Sequence, residues 1–395
     1  MTTAVIVDAV RTAGGKRNGK LSGWHPVDLA AETLKALAER NNLDPELVDD
    51  VIMGCVMQVG NQGLNIGRNA VLAAGWPESV PSTTVDRQCG SSQQAAHFAA
   101  QGVIAGAYDI VVAAGVEVMS TTPMGASVTP GSFPMGPAMI ARYAPIGGMV
   151  GQGVGAEMIA DEWDLSREDL DAFGLKSQEN AARATSEGRF DNEIIPVKAM
   201  PRDKETGNII ESDEIVKADE GIRDSSMETL AKLKPAFKPD GKITAGNSSQ
   251  ITDGASAALI MSEEKAKQLG LTPRARFHTF ALAGVDPVTM LKGPIPSTQK
   301  ALDKSGLGID DIDLFEINEA FASVVLAWQK ELKANPDKVN VNGGAIALGH
   351  PLGCSGTKLM ATLLNELERT GGRYGLQSMC EGGGMANATI IERLG

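Results

Sequence analysis

Along most of the chain, short apolar runs of strand length alternate with longer stretches whose apolar or small residues recur at helical spacing. Ala4–Asp8, Asp50–Cys55 and Ile110–Gly115 read as strands, and Pro26–Arg40 and Gly90–Gly106 as helices. Further on the alternation resumes, with strands at Arg276–Leu282, Asp313–Ile317 and Leu376–Cys380 and helices at Glu319–Leu332 and Ser355–Arg369. Strands separated by helices predict the α/β class. The alternation also repeats itself. Val48-Asp-Asp-Val51 matches Ile309-Asp-Asp-Ile312, residue 48 with residue 309, an offset of 261. Tyr108-Asp-Ile-Val-Val-Ala-Ala-Gly115 matches Tyr374-Gly-Leu-Gln-Ser-Met-Cys-Glu381, residue 108 with residue 374, an offset of 266. Two copies of one α/β unit are therefore expected.

Between the copies the pattern breaks. Thr121 to Met149 is rich in Gly, Pro, Ser and Met, as long loops are. Ser166-Arg-Glu-Asp169 opens a polar helix with a capping-box signature, and that helix ends near Gly188. Residues 120 to 250 read as an inserted, loop-rich subdomain, the kind of segment on which substrate contacts gather.

Composition narrows the picture. A chain of 395 residues exceeds one ordinary core, so two or three packed units are expected. A formal charge of −13 and the lack of a basic arm argue against nucleic acid as a partner. No apolar run approaches the ~18 residues of a membrane span, and Met1 leads directly toward a strand without a leader-like region. Four scattered cysteines suit a reducing cytoplasm better than a disulfide framework. Within this acidic chain, residues 223–242 carry five basic side chains (Arg223, Lys232, Lys234, Lys238, Lys242) against three acids. Such an island suits a polyanionic ligand, and a solvated helix face of mixed charge explains it almost as well.

Candidate chemistry lies at four places. Cys89, in Asp86-Arg-Gln-Cys-Gly-Ser-Ser92, follows a probable strand and opens a small-residue helix. A thiol there faces the positive end of the helix dipole and free N–H groups, which favours thiolate. Cys55, inside an apolar strand, reads instead as inert core. His350 lies in the glycine-rich run Asn342–Gly356, where backbone and imidazole can approach a substrate closely. That run ends Gly356-Thr-Lys358, which excludes a phosphate-binding P-loop. Cys380 ends a strand and opens the Gly382–Gly384 turn; Asn318 sits between a strand and a helix, where an N-cap is the competing reading. Backbone-bonded histidine and strand-end core thiol likewise remain open for His350 and Cys380. The cysteine spacing is wrong for a zinc site.

Taken together, Asp86-Arg-Gln-Cys89-Gly-Ser-Ser, Ile317-Asn318-Glu-Ala-Phe321, Gly349-His350-Pro-Leu-Gly-Cys-Ser-Gly356 and Cys380-Glu-Gly-Gly-Gly384 resemble the thiolase family over essentially the whole chain. The resemblance implies two α/β halves stacked as five α/β/α/β/α layers, with an inserted loop domain. The implied division is 1–120 plus 250–272 for the first half, 121–249 for the loop domain and 273–395 for the second half. It implies Cys89 as the acyl-accepting nucleophile and His350 as its activator. Asn318 would position a water for one oxyanion hole, and Cys380 would move the α-carbon proton. The N–H groups of Cys89 and Gly382 would form a second oxyanion hole. Arg223, Phe237, Ser249 and Phe321 would contact coenzyme A, a substrate here; no metal or resident cofactor is implied. A cytoplasmic homodimer or homotetramer acting on acyl-CoA and free coenzyme A is expected.

Rival readings fare worse. Gly151-Gln-Gly-Val-Gly155-Ala loosely imitates a dinucleotide fingerprint, but no clean strand precedes it. A ketoacyl synthase would pair its cysteine with two histidines, unlike the Asn318–Cys380 combination, and a non-catalytic relative would have lost a motif. Acetoacetyl-selective thiolases of the biosynthetic type carry a histidine where this chain has Gly151, before Gln152-Gly-Val-Gly-Ala-Glu157. That difference favours a degradative enzyme with substrates longer than acetoacetyl-CoA.

Overall fold

The computed structural model describes residues 2–203 and 205–395. In chain order it contains β1 (Ala4–Thr12), β2 (Gly15–Lys16), α1 (Pro26–Arg40), β3 (Asp50–Gly54), α2 (Ile66–Ala73), β4 (Ser82–Val85), α3 (Ser91–Ile104) and β5 (Ile110–Val118). The connecting stretch carries α4 (Pro137–Tyr143), α5 (Gln152–Glu162), α6 (Arg167–Ser186), the two-residue strands β6 (Ile194–Ile195), β7 (Val197–Lys198) and β8 (Ile215–Val216), and α7 (Met227–Ala231). Then follow β9 (Thr252–Ser262), α8 (Glu263–Gln268), β10 (Ala275–Gly284), α9 (Pro294–Ser305), β11 (Leu314–Ile317), α10 (Ala322–Leu332), α11 (Ala345–Leu348), α12 (Ser355–Thr370), β12 (Tyr374–Glu381) and β13 (Met385–Arg393).

Strand order confirms the duplication. One run of the sheet is β1-β9-β5-β3-β4, and the other is β10-β13-β12-β11. Each begins with two antiparallel pairings and then turns parallel. A parallel bridge from Phe315 to Val339 stands where β4 stands in the first half. The two runs meet only through Val5–Arg276 and Ile6–Ala275, between β1 and β10.

The pleat of β1 shows how the layers arise. Val5, Val7 and Val10 join α1 and α2 in one core, whereas Ala4, Ile6 and Ala9 join α3 and α12 in another. Period-2 side chains thus serve two layers at once. On the far side of the second sheet, Phe315, Ile317 and Ile390 pack against α9 and α10. Reading through the molecule gives α1/α2, first sheet, α3/α12, second sheet, α9/α10: the five layers expected. Each buried Val, Leu or Ile in these faces contributes about 1.5–3 kcal/mol.

Two long strands have no signal in the apolar pattern. β9 (Thr-Asp-Gly-Ala-Ser-Ala-Ala-Leu-Ile-Met-Ser) is buried along its whole length yet rich in residues that strands avoid. It lies between β1 and β5, walled by helices on both faces, so small side chains suit close packing. β13 mixes Asn and Ala with Ile in the same way. Among the described residues no strand runs into Gly151, which caps α5: the last one before it, β5, ends at Val118, so the dinucleotide reading has no structural basis.

Candidate active site

The thiol of Cys89 stands at a sharp turn from β4 into α3. Gln88 adopts φ of 48° there, a left-handed conformation that costs a residue with a Cβ about 1–2 kcal/mol. Local bonds hold it. The Gln88 N–H donates to Asp86 Oδ1 at 2.7 Å, and the Ser91 hydroxyl donates to the Gln88 carbonyl at 2.6 Å while accepting from the Arg87 N–H at 3.0 Å. A Cβ at Gly90 would collide with Glu381 Oε1 and Asn387 Nδ2, so the motif needs glycine at this place. Burial pushes the Cys89 thiol up to about 12, with Glu381 adding to the rise and the N–H groups of Cys89 and Gly382 opposing it. The helix start therefore does not yield a resting thiolate, contrary to the expectation from sequence. Water exclusion outweighs the N–H groups, and Cys89 is a neutral thiol at rest.

His350 follows α11 in the second half, where α12 answers α3. Its N–H donates to Thr252 Oγ1 at 3.0 Å and Gln250 O at 3.2 Å, fixing the loop against β9. Nδ1 lies 2.5 Å from Ser355 Oγ, and that hydroxyl donates its own proton to Pro351 O at 2.8 Å. That arrangement puts the ring hydrogen on Nδ1 and turns the Nε2 lone pair toward the Asn318 amide. Asn318 Nδ2 lies 3.4 Å from Nε2. Burial, with the Lys358 ammonium, lowers His350 to about 3, so the imidazole is neutral. Asn318 is not the N-cap of α10, a position held by Phe321, which removes the competing reading.

Cys380 closes β12 and is buried. Burial raises its thiol strongly, and the Cys89 sulfur is the next cause, so the two sulfurs stand close enough that ionising one opposes ionising the other. Cys89 packs in one cluster with Leu352, two residues past His350, and with Met379, next to Cys380. The Gly382 N–H and the Cys380 thiol thus neighbour Cys89, and the His350–Asn318 pair lies on the loop that reaches Cys89 through Leu352. Among the described residues, no group of three or more His, Cys, Asp or Glu could hold a metal. Among the described residues, no helix is long and apolar enough to cross a membrane.

At the rim, Phe237 meets Phe321 edge-on at 5.8 Å, and the Ser249 N–H donates to Ala320 O at 2.9 Å. These three therefore gather beside the Asn318–Phe321 motif. Arg223 is exposed, anchored by its N–H to Gln178 Oε1 and reaching the Ala245 carbonyl at 3.3 Å. Ion pairs occupy three of the five basic residues of the island: Lys238 and Lys242 with Asp161, and Lys232 with Glu228. Among the described residues, Arg223 and Lys234 have no such partner. A side chain at Gly151 would meet open space. In the preceding stretch of chain, Phe133, Met135, Met139, Ile140, Tyr143 and Met149 line an open hollow of about 460 Å³.

Sequence reasoning missed Ser355 and Glu381. Ser355 lies inside the Gly349–Gly356 motif and was readable as a hydroxyl near an imidazole. Glu381 stands out as a charge between Cys380 and the glycine turn, at the end of an apolar strand.

The thiolase N-terminal domain model matches residues 4–264, and the thiolase C-terminal domain model matches residues 271–393. A steroid 3-ketoacyl-CoA thiolase of Mycobacterium tuberculosis is 53% identical, over 100% of this chain and 95% of its own. A 3-ketoacyl-CoA thiolase of Aliivibrio salmonicida is 48% identical over 100% of both, and an acetyl-CoA acetyltransferase of Chromobacterium violaceum 45% over 98% and 99%. The crystal structure of the Bacillus anthracis acetyl-CoA acetyltransferase aligns with a TM-score of 0.88 at 39% identity, covering 100% of this chain and 99% of that one. With both halves of the duplicated fold matched, the chain belongs to the thiolase family of acyltransferases.

Proposed function

We propose that this thiolase works in the degradative direction, cleaving a 3-ketoacyl-CoA with coenzyme A into acetyl-CoA and a shortened acyl-CoA. Cys89 carries the acyl group between the two steps. His350 Nε2 takes the Cys89 proton as sulfur attacks the 3-keto carbon; the bond to the α-carbon breaks, and its electron pair leaves as the acetyl-CoA enolate. Cys380 gives that enolate its proton. N–H groups of Cys89 and Gly382 stabilise one oxyanion, and His350 with a water held by Asn318 stabilises the other. Free coenzyme A then gives its thiol proton to Cys380 and takes the acyl group from Cys89, whose departing sulfur recovers its proton from His350. What supports this assignment is the Ser355 hydroxyl at His350 Nδ1, which suits Nε2 to the part of base, together with the Gly382 N–H and the Cys380 thiol beside Cys89.

Arg223, Phe237, Ser249 and Phe321 are proposed to hold coenzyme A, which is a substrate; the chemistry runs on side chains without a resident cofactor. Arg223 and Lys234, without acidic partners, suit its phosphates. The division into 1–120 with 250–272, 121–249 and 273–395 is part of this reading, and the place of β9 between β1 and β5 supports it. A cytoplasmic homodimer or homotetramer is proposed as the working form. The degradative direction draws support from open Gly151 and the apolar hollow, and from the names of the Mycobacterium and Aliivibrio relatives. A biosynthetic acetoacetyl-CoA-forming reaction is the second reading, favoured by the names of the Chromobacterium and Bacillus relatives. Thiolysis rates measured across 3-ketoacyl-CoAs of four to sixteen carbons decide between them. Activity that rises beyond four carbons supports the first, and activity confined to four carbons supports the second.

A further inference from the structure

Glu381 lies between Cys380 and Gly382, and no part of the reaction above uses it. Its side chain is wholly buried, and neither carboxyl oxygen has a hydrogen-bond partner. The carboxyl rests against Gly90, immediately after the nucleophile, with Asn387 of β13 beside it. A buried charge without partners costs several kcal/mol, so a carboxyl kept here is kept in its neutral form or for a function. The groups that reach it come from three directions. Arg87 and Asp86 belong to the turn before α3, Cys89 and Cys380 are the two reacting sulfurs, and β13 offers the neutral Asn387. Arg87 does not neutralise it through a hydrogen bond, since both Glu381 carboxyl oxygens are unpartnered, and the buried Arg87 Nε is unpartnered as well.

We propose that Glu381 is a positioning residue of the thiolase reaction: its uncharged carboxyl, packed on the Cys89–Gly90 backbone, lets negative charge develop on the sulfurs, and its ionisation slows acylation of Cys89. The proposal rests on Cys89 being the acyl carrier. Burial raises the Glu381 carboxyl to about 8, with Arg87 lowering and Asp86 raising it, so the change falls within the working range of pH. Below that point the carboxyl is neutral and adds no charge against the sulfurs. Above it, a carboxylate opposes the charge that gathers on Cys89 as its proton passes to His350 Nε2. In acylation by acetyl-CoA the new sulfur–carbon bond forms as the thioester bond breaks, and the departing coenzyme A sulfur takes the proton from His350.

Acylation of Cys89 by acetyl-CoA, followed by rapid quench and peptide mass from pH 6.5 to 9.5, tests this. The ratio of the Glu381→Gln rate constant to that of the unmodified enzyme should rise about tenfold across the window, the effect of one unit on a neighbouring thiol. Glu381→Ala should show the same rise, whatever its absolute rate. A ratio that stays flat, or a uniform loss of rate with lowered melting temperature, assigns Glu381 a purely structural part and overturns the proposal. A profile of the unmodified enzyme with no inflection near pH 8 also overturns it, even where neither variant folds. Absence of any adduct on Cys89 overturns the acyl-carrier reading beneath it; an adduct with a flat ratio overturns the Glu381 role alone.

Discussion

At the scale of single residues, the resting site is uncharged at its thiol and its imidazole. Cys89 is pushed up to about 12 and His350 down to about 3, both chiefly by burial, so neither is ionised at neutral pH. Proton transfer must then accompany attack and not precede it. Alkylation of Cys89 by iodoacetamide should accordingly keep rising from pH 6 to 9; a plateau reached by pH 7 would reveal a preformed thiolate and contradict this. Ser355→Ala should lower kcat about tenfold, because losing one hydrogen bond worth ~1.4 kcal/mol frees the imidazole tautomer. Unchanged kcat in that variant would remove Ser355 from the machinery. Cys380→Ala should still accept an acyl group on Cys89 yet lose carbon–carbon bond chemistry by about 10²–10⁴-fold, the usual worth of a general acid–base group. Near-normal condensation by this variant would sink the role given to Cys380.

At the scale of elements, the sequence carried most strands and helices because their apolar residues follow the period of the element. Pro26–Arg40 matches α1 end to end, and Ser166 caps α6 through a reciprocal bond with Asp169. Ser166→Ala should cost about 1 kcal/mol of stability, as loss of an N-cap does, without altering kcat. A melting temperature that does not move would show the cap to be redundant. What was not legible depends on neighbours distant in the chain. β9 looks unlike a strand because close packing between two helical layers selects Ala, Ser and Gly, which no local rule recovers. The turn at Cys89 was legible as a motif, but the balance there between helix N–H groups and burial was not. Which of the two wins depends on Met119, Leu352 and Met379 closing over the sulfur. The imidazole tautomer was equally hidden, since it follows from where the Ser355 hydroxyl points.

At the scale of the whole molecule, duplication explains why the chemistry is shared between halves. One copy offers its turn before α3 to the nucleophile, and the other offers the equivalent loop before α12 to the imidazole. The offsets in the sequence foretold this symmetry. They did not foretell the apolar hollow that side chains from Phe133 to Met149 form within the insertion. A flexible, methionine-rich lining accommodates varied acyl chains. With each buried methylene worth ~0.8 kcal/mol, two to four extra carbons should raise kcat/KM about tenfold or more. A sharp optimum at four carbons would contradict that.

The roles given to Cys89, His350, Cys380 and Glu381 depend on which sulfur carries the acyl group. Incubation of the enzyme with an acyl-CoA, followed by digestion and mass spectrometry of the cysteine peptides, addresses this directly. One acyl mass on the peptide containing Cys89, and none on those containing Cys354 or Cys380, is the predicted result. An acyl group found instead on Cys380 or Cys354 would contradict the assignment of roles at this site.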